Sequence, residues 1–235
     1  MSSSSSSSSP LSKSNASACA TSTSNGFVPQ NYDYFLVLDF EATCDSGTQP
    51  SPQEIIEFPC LKVSAKTFEV ESKFHHYVRP TAHPVLSEFC TDLTGIIQEM
   101  VDDQADLPET LRLFHEWLIE ENLLGRADSA DSNNAPHSFL FVTCGDWDLK
   151  SMLPRQAAYL NLTIPPYLKK WMNIKKAYNK AMGSFPRGMM VMLSALDIAH
   201  QGRHHSGIDD CANIASILKK LAEMGVHFKQ TGSVE

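Results

Sequence analysis

Residues 35–44 read Phe-Leu-Val-Leu-Asp-Phe-Glu-Ala-Thr-Cys. A short, continuous apolar run of this kind is the pattern of a fully buried strand. It ends by delivering two carboxylates, Asp39 and Glu41, at spacing i, i+2. In a strand that spacing puts both side chains on one face, about 7 Å apart along the chain. Two bare carboxylates side by side repel each other, and a divalent cation is the partner that offsets the repulsion. The segment reads as a metal site at a strand end that needs further acids to complete it.

The first 26 of the 235 residues differ from the rest. Residues 2–9 are all Ser, and Ser, Thr, Ala and Asn dominate through Asn25. Such a stretch cannot bury enough apolar surface to offset ordering entropy, so residues 1–26 read as a disordered tail. It has no apolar h-region, which excludes a secretory signal. Lys13 is its one base, which argues against a transit peptide and organelle import. No stretch approaches the roughly 20 apolar residues that span a membrane. Residues 27–229 are ample for one domain with a full core. The six cysteines are scattered with no Cys-x-x-Cys pair, which argues against cysteine-held zinc and a disulfide scaffold. An intracellular, cytoplasmic protein is expected, with the nucleus and nucleolus also open to it.

The net charge of −8 argues against broad electrostatic adhesion to nucleic acid. Residues 160–190, however, contain no acid, while Lys169, Lys170, Lys175, Lys176, Lys180 and Arg187 fall there among Tyr167, Trp171 and Tyr178. This is either a solvated helix face or a local surface that tracks phosphates.

Residues 34–40, 54–65 and 69–78 read as strands, and their short connections imply an antiparallel meander. Helical candidates follow: a turn at 87–92, then 94–101 with Thr94 as its cap. A stronger one is 107–121, with Leu111, Phe114, Leu118 and Ile119 on one face. Residues 125–135 form a polar loop and 138–142 a strand. A helix from Trp147 to Leu153 is broken or kinked by Pro154, and 167–174 starts as either helix or strand. Residues 189–198 and 209–224 close the pattern as helices. Strands first, then helices alternating with strands, imply an α/β domain with a mixed central sheet flanked by helices.

Two further segments can complete the site. Asp148 follows the 138–142 strand within Cys-Gly-Asp-Trp-Asp, although a helix N-cap would also explain an Asp there. The segment His204-His205-Ser206-Gly207-Ile208-Asp209-Asp210 places histidines and acids at the start of the last helix. Together with Asp39 and Glu41 these fit a two-metal phosphoryl-transfer design, with carboxylates holding Mg²⁺ or Mn²⁺ and a histidine as proton acceptor.

These motifs are joined by Glu-Ile-Ile-Glu-Phe-Pro at 54–59, Tyr-Val-Arg-Pro at 77–80 and Leu-Thr-Gly-Ile at 93–96. Lys169-Lys170-Trp171 and Gly207-Ile208-Asp209-Asp210 add to them. In that order the sequence resembles the DEDDh 3′→5′ exonucleases over about 32–225. More narrowly it resembles their enhanced-RNAi or 3′ histone-mRNA exonuclease subfamily. The resemblance implies a ribonuclease H-like fold for residues 27–229. It implies that two Mg²⁺ ions, with Mn²⁺ as a substitute, are held by Asp39, Glu41, Asp148 and Asp210. Asp148 is chosen over Asp146 because it directly follows the aromatic Trp147, and His205 over His204 because it stands five residues before Asp210. Glu41 and His205 are implied as the catalytic pair, releasing nucleoside 5′-monophosphates from RNA 3′ ends.

Glu41, Ala42 and His205 are implied to contact the terminal nucleotide. Trp147 would stack on its base or else pack in the core. Lys175 and Lys176 match a basic pair that would meet a duplex or stem. Larger members carry a SAP-type nucleic-acid-binding segment where this sequence has its Ser tract. The role implied is RNA processing or turnover of small RNA, rRNA or histone mRNA. The same residues leave open a 3′→5′ DNA exonuclease and a non-catalytic RNA-binding adaptor. Protein partners are not legible.

Overall fold

The computed structural model of the chain describes residue 1 and residues 26–125 and 135–235. Most of the Ser-rich tail, Cys19 and most of the expected polar loop lie outside the described residues. β1 (Tyr34–Leu38) forms where the apolar run predicts it. Phe35 and Val37 belong to one core cluster, Leu36 and Leu38 to the other. Both alternating series are apolar because both faces of this strand are covered.

β2 (Glu41–Ala42), β3 (Ile55–Ser64) and β4 (Val70–Tyr77) come next. β3 pairs antiparallel with all three neighbours, which is the expected meander. Its interior holds Pro59, which has no N–H to give to a ladder. The register pairs Leu38 with Cys60 and Glu41 with Glu57, so Asp39 lies opposite Pro59. At that point β1 has ended and β2 has not begun, and Phe40 directs its N–H away from the sheet to Asp148.

β5 (Phe139–Thr143) and β6 (Lys170–Asn173) extend the sheet in parallel from β1, and β7 (Gly232–Ser233) closes it antiparallel, beyond residue 229. The sheet is therefore mixed. The helices are α1 (Glu88–Thr94), α2 (Gln98–Val101), α3 (Leu107–Glu120), α4 (Leu153–Tyr159), α5 (Ile174–Met182), α6 (Met189–Ala195) and α7 (Gly207–Glu223). Side chains of α5, α6 and α7 cover one sheet face, and those of α3 and α4 the other. Among the described residues no helix is long and apolar enough to cross a membrane.

Several local expectations are corrected. Thr94 does not cap a helix; it ends α1, because Gly95 takes φ 78° and turns the chain out. The cap of α1 is Ser87, which accepts from the N–H of Cys90. Pro154 does not stop the helix after Trp147. A π-helical turn at Asp148–Met152 runs into α4, and Pro154 falls in the first turn of α4, where a missing N–H is tolerated. Residues 166–169 are a 3₁₀ turn before β6. α5 has no counterpart in the sequence reading; Asn173 caps it by accepting from the N–H of Lys175.

The core under β3 is an aromatic stack. Phe114, fully buried, lies 4.8 Å from Phe58 and 5.0 Å from Phe74 between ring centroids. Phe114→Ala is expected to lower unfolding free energy by about 3–5 kcal/mol in chemical denaturation.

Candidate active site

A cleft of about 500 Å³ opens at the ends of β1 and β5 and the start of α7. Asp39, Glu41, Ala42, Trp147, Asp148, His205 and Asp210 all line it. Asp39 stands where β1 stops opposite Pro59, and Glu41 stands in β2. Asp148 opens the π-helical turn after β5, and Asp210 lies in the first turn of α7. Residues separated by more than a hundred positions in sequence thus converge because β1 and β5 are parallel neighbours.

Backbone hydrogen bonds hold Asp148 and Asp210 in place. The Phe40 N–H donates to Asp148 Oδ1 at 2.9 Å, and the His205 N–H donates to Asp210 Oδ2 at 3.0 Å. His205 adopts φ 67°, a left-handed conformation uncommon for a non-glycine residue. The strain sits beside the site, as strain often does at functional positions.

Glu57 is the residue that sequence reasoning passed over. It is buried, and its carboxylate accepts from the N–H groups of Gly207 at 2.9 Å and Ile208 at 3.1 Å. His75 Nε2 adds a contact at 2.8 Å. Glu57 therefore caps α7 from β3 and holds Asp210 and His205 against the end of β1. Gly207 makes the approach possible: a Cβ there would lie 2.6 Å from the Asp39 carbonyl oxygen and 2.9 Å from Pro59 Cγ. The available signal was an acid within the apolar run Ile55–Leu61 of that strand. Met190 and Val191 also line the cleft and carried no such signal.

The neighbouring acids do other work. Asp146 accepts from Trp171 Nε1 at 2.8 Å and pairs with Lys176 Nζ at 3.3 Å. Asp209 accepts from the Arg203 N–H at 2.8 Å and closes the loop ahead of α7. Lys175 lines the cleft, whereas Lys176, the other half of the basic pair, is turned to Asp146 and the Thr231 carbonyl. Trp147 is 40% exposed, so it is not a core residue. The rings of His204 and His205 stack with centroids 4.0 Å apart, and His204 Nδ1 lies 3.2 Å from Asp210 Oδ2.

The electrostatics of the cleft follow from burial and crowding. Burial, then Asp148, Glu41 and Asp210, hold the Asp39 carboxyl well above the usual range. Glu41 is pushed up to about 9 by burial and then by Glu57, Asp210 and Asp148. Burial lifts Asp148 to about 6 against the opposing Phe40 N–H, and lifts Asp210 against the His205 N–H. Among the described residues, the one ion-pair partner of these four acids is His204. An all-oxygen set that cannot ionise comfortably by itself fits a hard divalent cation.

An exonuclease family profile (RNase_T) matches residues 36–218. The human protein ERI1 exoribonuclease 3 is 56% identical over 206 residues, covering 87% of this chain and 58% of that protein. The chain thus spans less than two thirds of that relative. Among solved structures, the nuclease domain of 3′hExo, a DEDDh family member bound to rAMP, superposes with a TM-score of 0.79. It shares 34% identity and covers 88% of this chain and 100% of that one. A 3′-exonuclease that recognises the 3′ end of the histone mRNA stem-loop superposes at 0.81. It shares 33% identity over 90% of this chain and 71% of that one. The fold is therefore the ribonuclease H-like one. The chain belongs to the DEDDh 3′→5′ exonuclease family, in its ERI1 and 3′hExo branch. Membership carries divalent-metal dependence.

Two outcomes follow from this geometry. Glu57→Ala leaves the N-terminus of α7 without its buried anion and is expected to cost about 2–4 kcal/mol of stability in urea unfolding. The second concerns pH. The folded carboxyls titrate above their unfolded values near 4, so the unfolded chain ionises first as pH rises. The cation-free protein therefore loses stability between about pH 4 and 9, the pKa of Glu41. The gain in melting temperature on adding Mg²⁺ should be larger at pH 8 than at pH 5.

Proposed function

We propose that this chain is a metal-dependent 3′→5′ exoribonuclease. It trims single-stranded RNA 3′ ends, including ends beside stem-loops or duplexes, and releases nucleoside 5′-monophosphates. The observation that carries the proposal is the convergence of Asp39, Glu41, Asp148, Asp210 and His205 on one cleft with an exposed Trp147 beside them. The exoribonuclease name of the human relative and the rAMP bound to the related nuclease domain support RNA over DNA as substrate. A non-catalytic adaptor would have no use for an intact set of four crowded acids.

Asp39, Glu41, Asp148 and Asp210 would hold the divalent ions, two Mg²⁺ per site with Mn²⁺ as a substitute. Bound there, the ions supply positive charge that acidifies water and offsets charge developing on the phosphate. The chain's own groups do the rest. Burial first, and then His204, lower the His205 pKa from the ordinary histidine value, which favours the neutral ring. Its ring accepts the proton of the attacking water. The water oxygen bonds to phosphorus as the bond to the upstream 3′ oxygen breaks, and that oxygen takes a proton from solvent as it leaves. Glu41 and Ala42 seat the terminal nucleotide, Trp147 offers its face to the base, and Lys175 meets a phosphate.

The test is incubation with matched RNA and DNA oligonucleotides, with and without Mg²⁺, sizing the products. RNA shortened from its 3′ end with mononucleotide release is expected. Asp39→Ala should abolish release while circular dichroism stays native. His205→Ala should lose about 10²-fold or more in kcat with cation binding retained. Unchanged kcat in both variants would overturn the assignment.

A further inference from the structure

We propose that His200, His204 and Asp210 form a second cation site, distinct in chemistry from the four-carboxylate cleft, that takes a borderline transition-metal ion such as Zn²⁺. One donor atom from each of the three lies within 4.8 Å of the others. His204 Nδ1 and Asp210 Oδ2 are 3.2 Å apart. Two ligands on a tetrahedral zinc with bonds of about 2.0–2.1 Å are separated by about 3.3 Å, so this edge is already set. His200 Nε2 is buried and has no hydrogen-bond partner. A buried imidazole nitrogen without a partner is costly, and a metal ion is one way to satisfy it.

The two histidines are spaced by backbone, not by the ion. Next to His200, the Gln201 N–H donates to Asn213 Oδ1 at 3.0 Å, and Asn213 Nδ2 donates back to the Gln201 carbonyl at 2.8 Å. Next to His204, the Arg203 N–H is tied to Asp209. Asn213 is fully buried in α7, so the loop carrying both imidazoles is pinned to the helix that carries Asp210. The donor set is two imidazoles and one carboxylate, which suits zinc, whereas the neighbouring all-oxygen set suits magnesium.

The consequence comes from sharing. Asp210 belongs to both sets, so an ion on the histidines draws its carboxylate from the catalytic ions. It also places positive charge beside His204, whose ring stacks on His205. Zinc binding therefore inhibits an enzyme that magnesium activates; this second statement rests on the proposed nuclease reading, the binding does not.

Calorimetric titration of the full chain with Zn²⁺, in millimolar Mg²⁺, tests both. Wild type should bind one Zn²⁺, and Asp39→Ala should bind it equally, because Asp39 is not in this set. His200→Ala should weaken binding by about tenfold or more. X-ray absorption of the zinc form should show two imidazoles. In the nuclease assay His200→Ala should keep its Mg²⁺-supported rate and need at least about tenfold more Zn²⁺ for half-inhibition. Zinc bound as tightly by His200→Ala as by wild type, or lost in Asp39→Ala, would overturn the site. A protein that binds zinc as expected yet cuts nothing would leave the site standing and sink the nuclease reading alone.

Discussion

Like charges crowded into a partly dry cleft set the terms for how the fold around them is built. Burial raises the proton affinity of all four acids, and at Asp39 and Glu41 the neighbouring acids raise it further. Such an arrangement is unfavourable in isolation and persists only where the surrounding fold over-determines it. The surround here is a sheet covered on both faces, with two core clusters that meet across β1. The apolar run before Asp39 is therefore the support for the acids as well as their neighbour in sequence.

The second support is the clamp between β3 and α7. Pro59 interrupts the ladder, and Gly207 lets the helix approach Asp39. Glu57 binds the helix's free N–H groups from beneath. A buried carboxylate at a helix N-terminus gains from the dipole as well as from hydrogen bonds. Its cost is a fifth acid near the cleft, which adds to the pressure on Glu41 and Asp39. One residue thus serves folding and charges the site further.

The chain shares its fold and family with the DEDDh exonucleases. The doubled histidine and His200 add nitrogen donors at the edge of an oxygen site. By the zinc proposal, the loop ahead of α7 is a place where a second kind of metal would act.

Much of this could be read from the residues themselves. The two-sided apolar period of 34–38, the Asp39–Glu41 spacing, the meander and the last helix all follow from local pattern, because strand and helix periods are properties of the chain. Other features were invisible locally. Thr94 reads as a cap and Pro154 as a break or kink because each is judged by its type. Gly95 and the π-helical turn reassigned them in three dimensions. Lys175 and Lys176 are adjacent and basic, yet one faces the cleft and the other Asp146. Local pattern is enough to say which residue types meet at the end of a buried strand. The family resemblance already picks Asp148 over Asp146 and Asp210 over Asp209, and both line the cleft. That Glu57 holds the start of α7 there emerges from the tertiary structure alone. The contact joins segments more than a hundred residues apart, and no local period carries it.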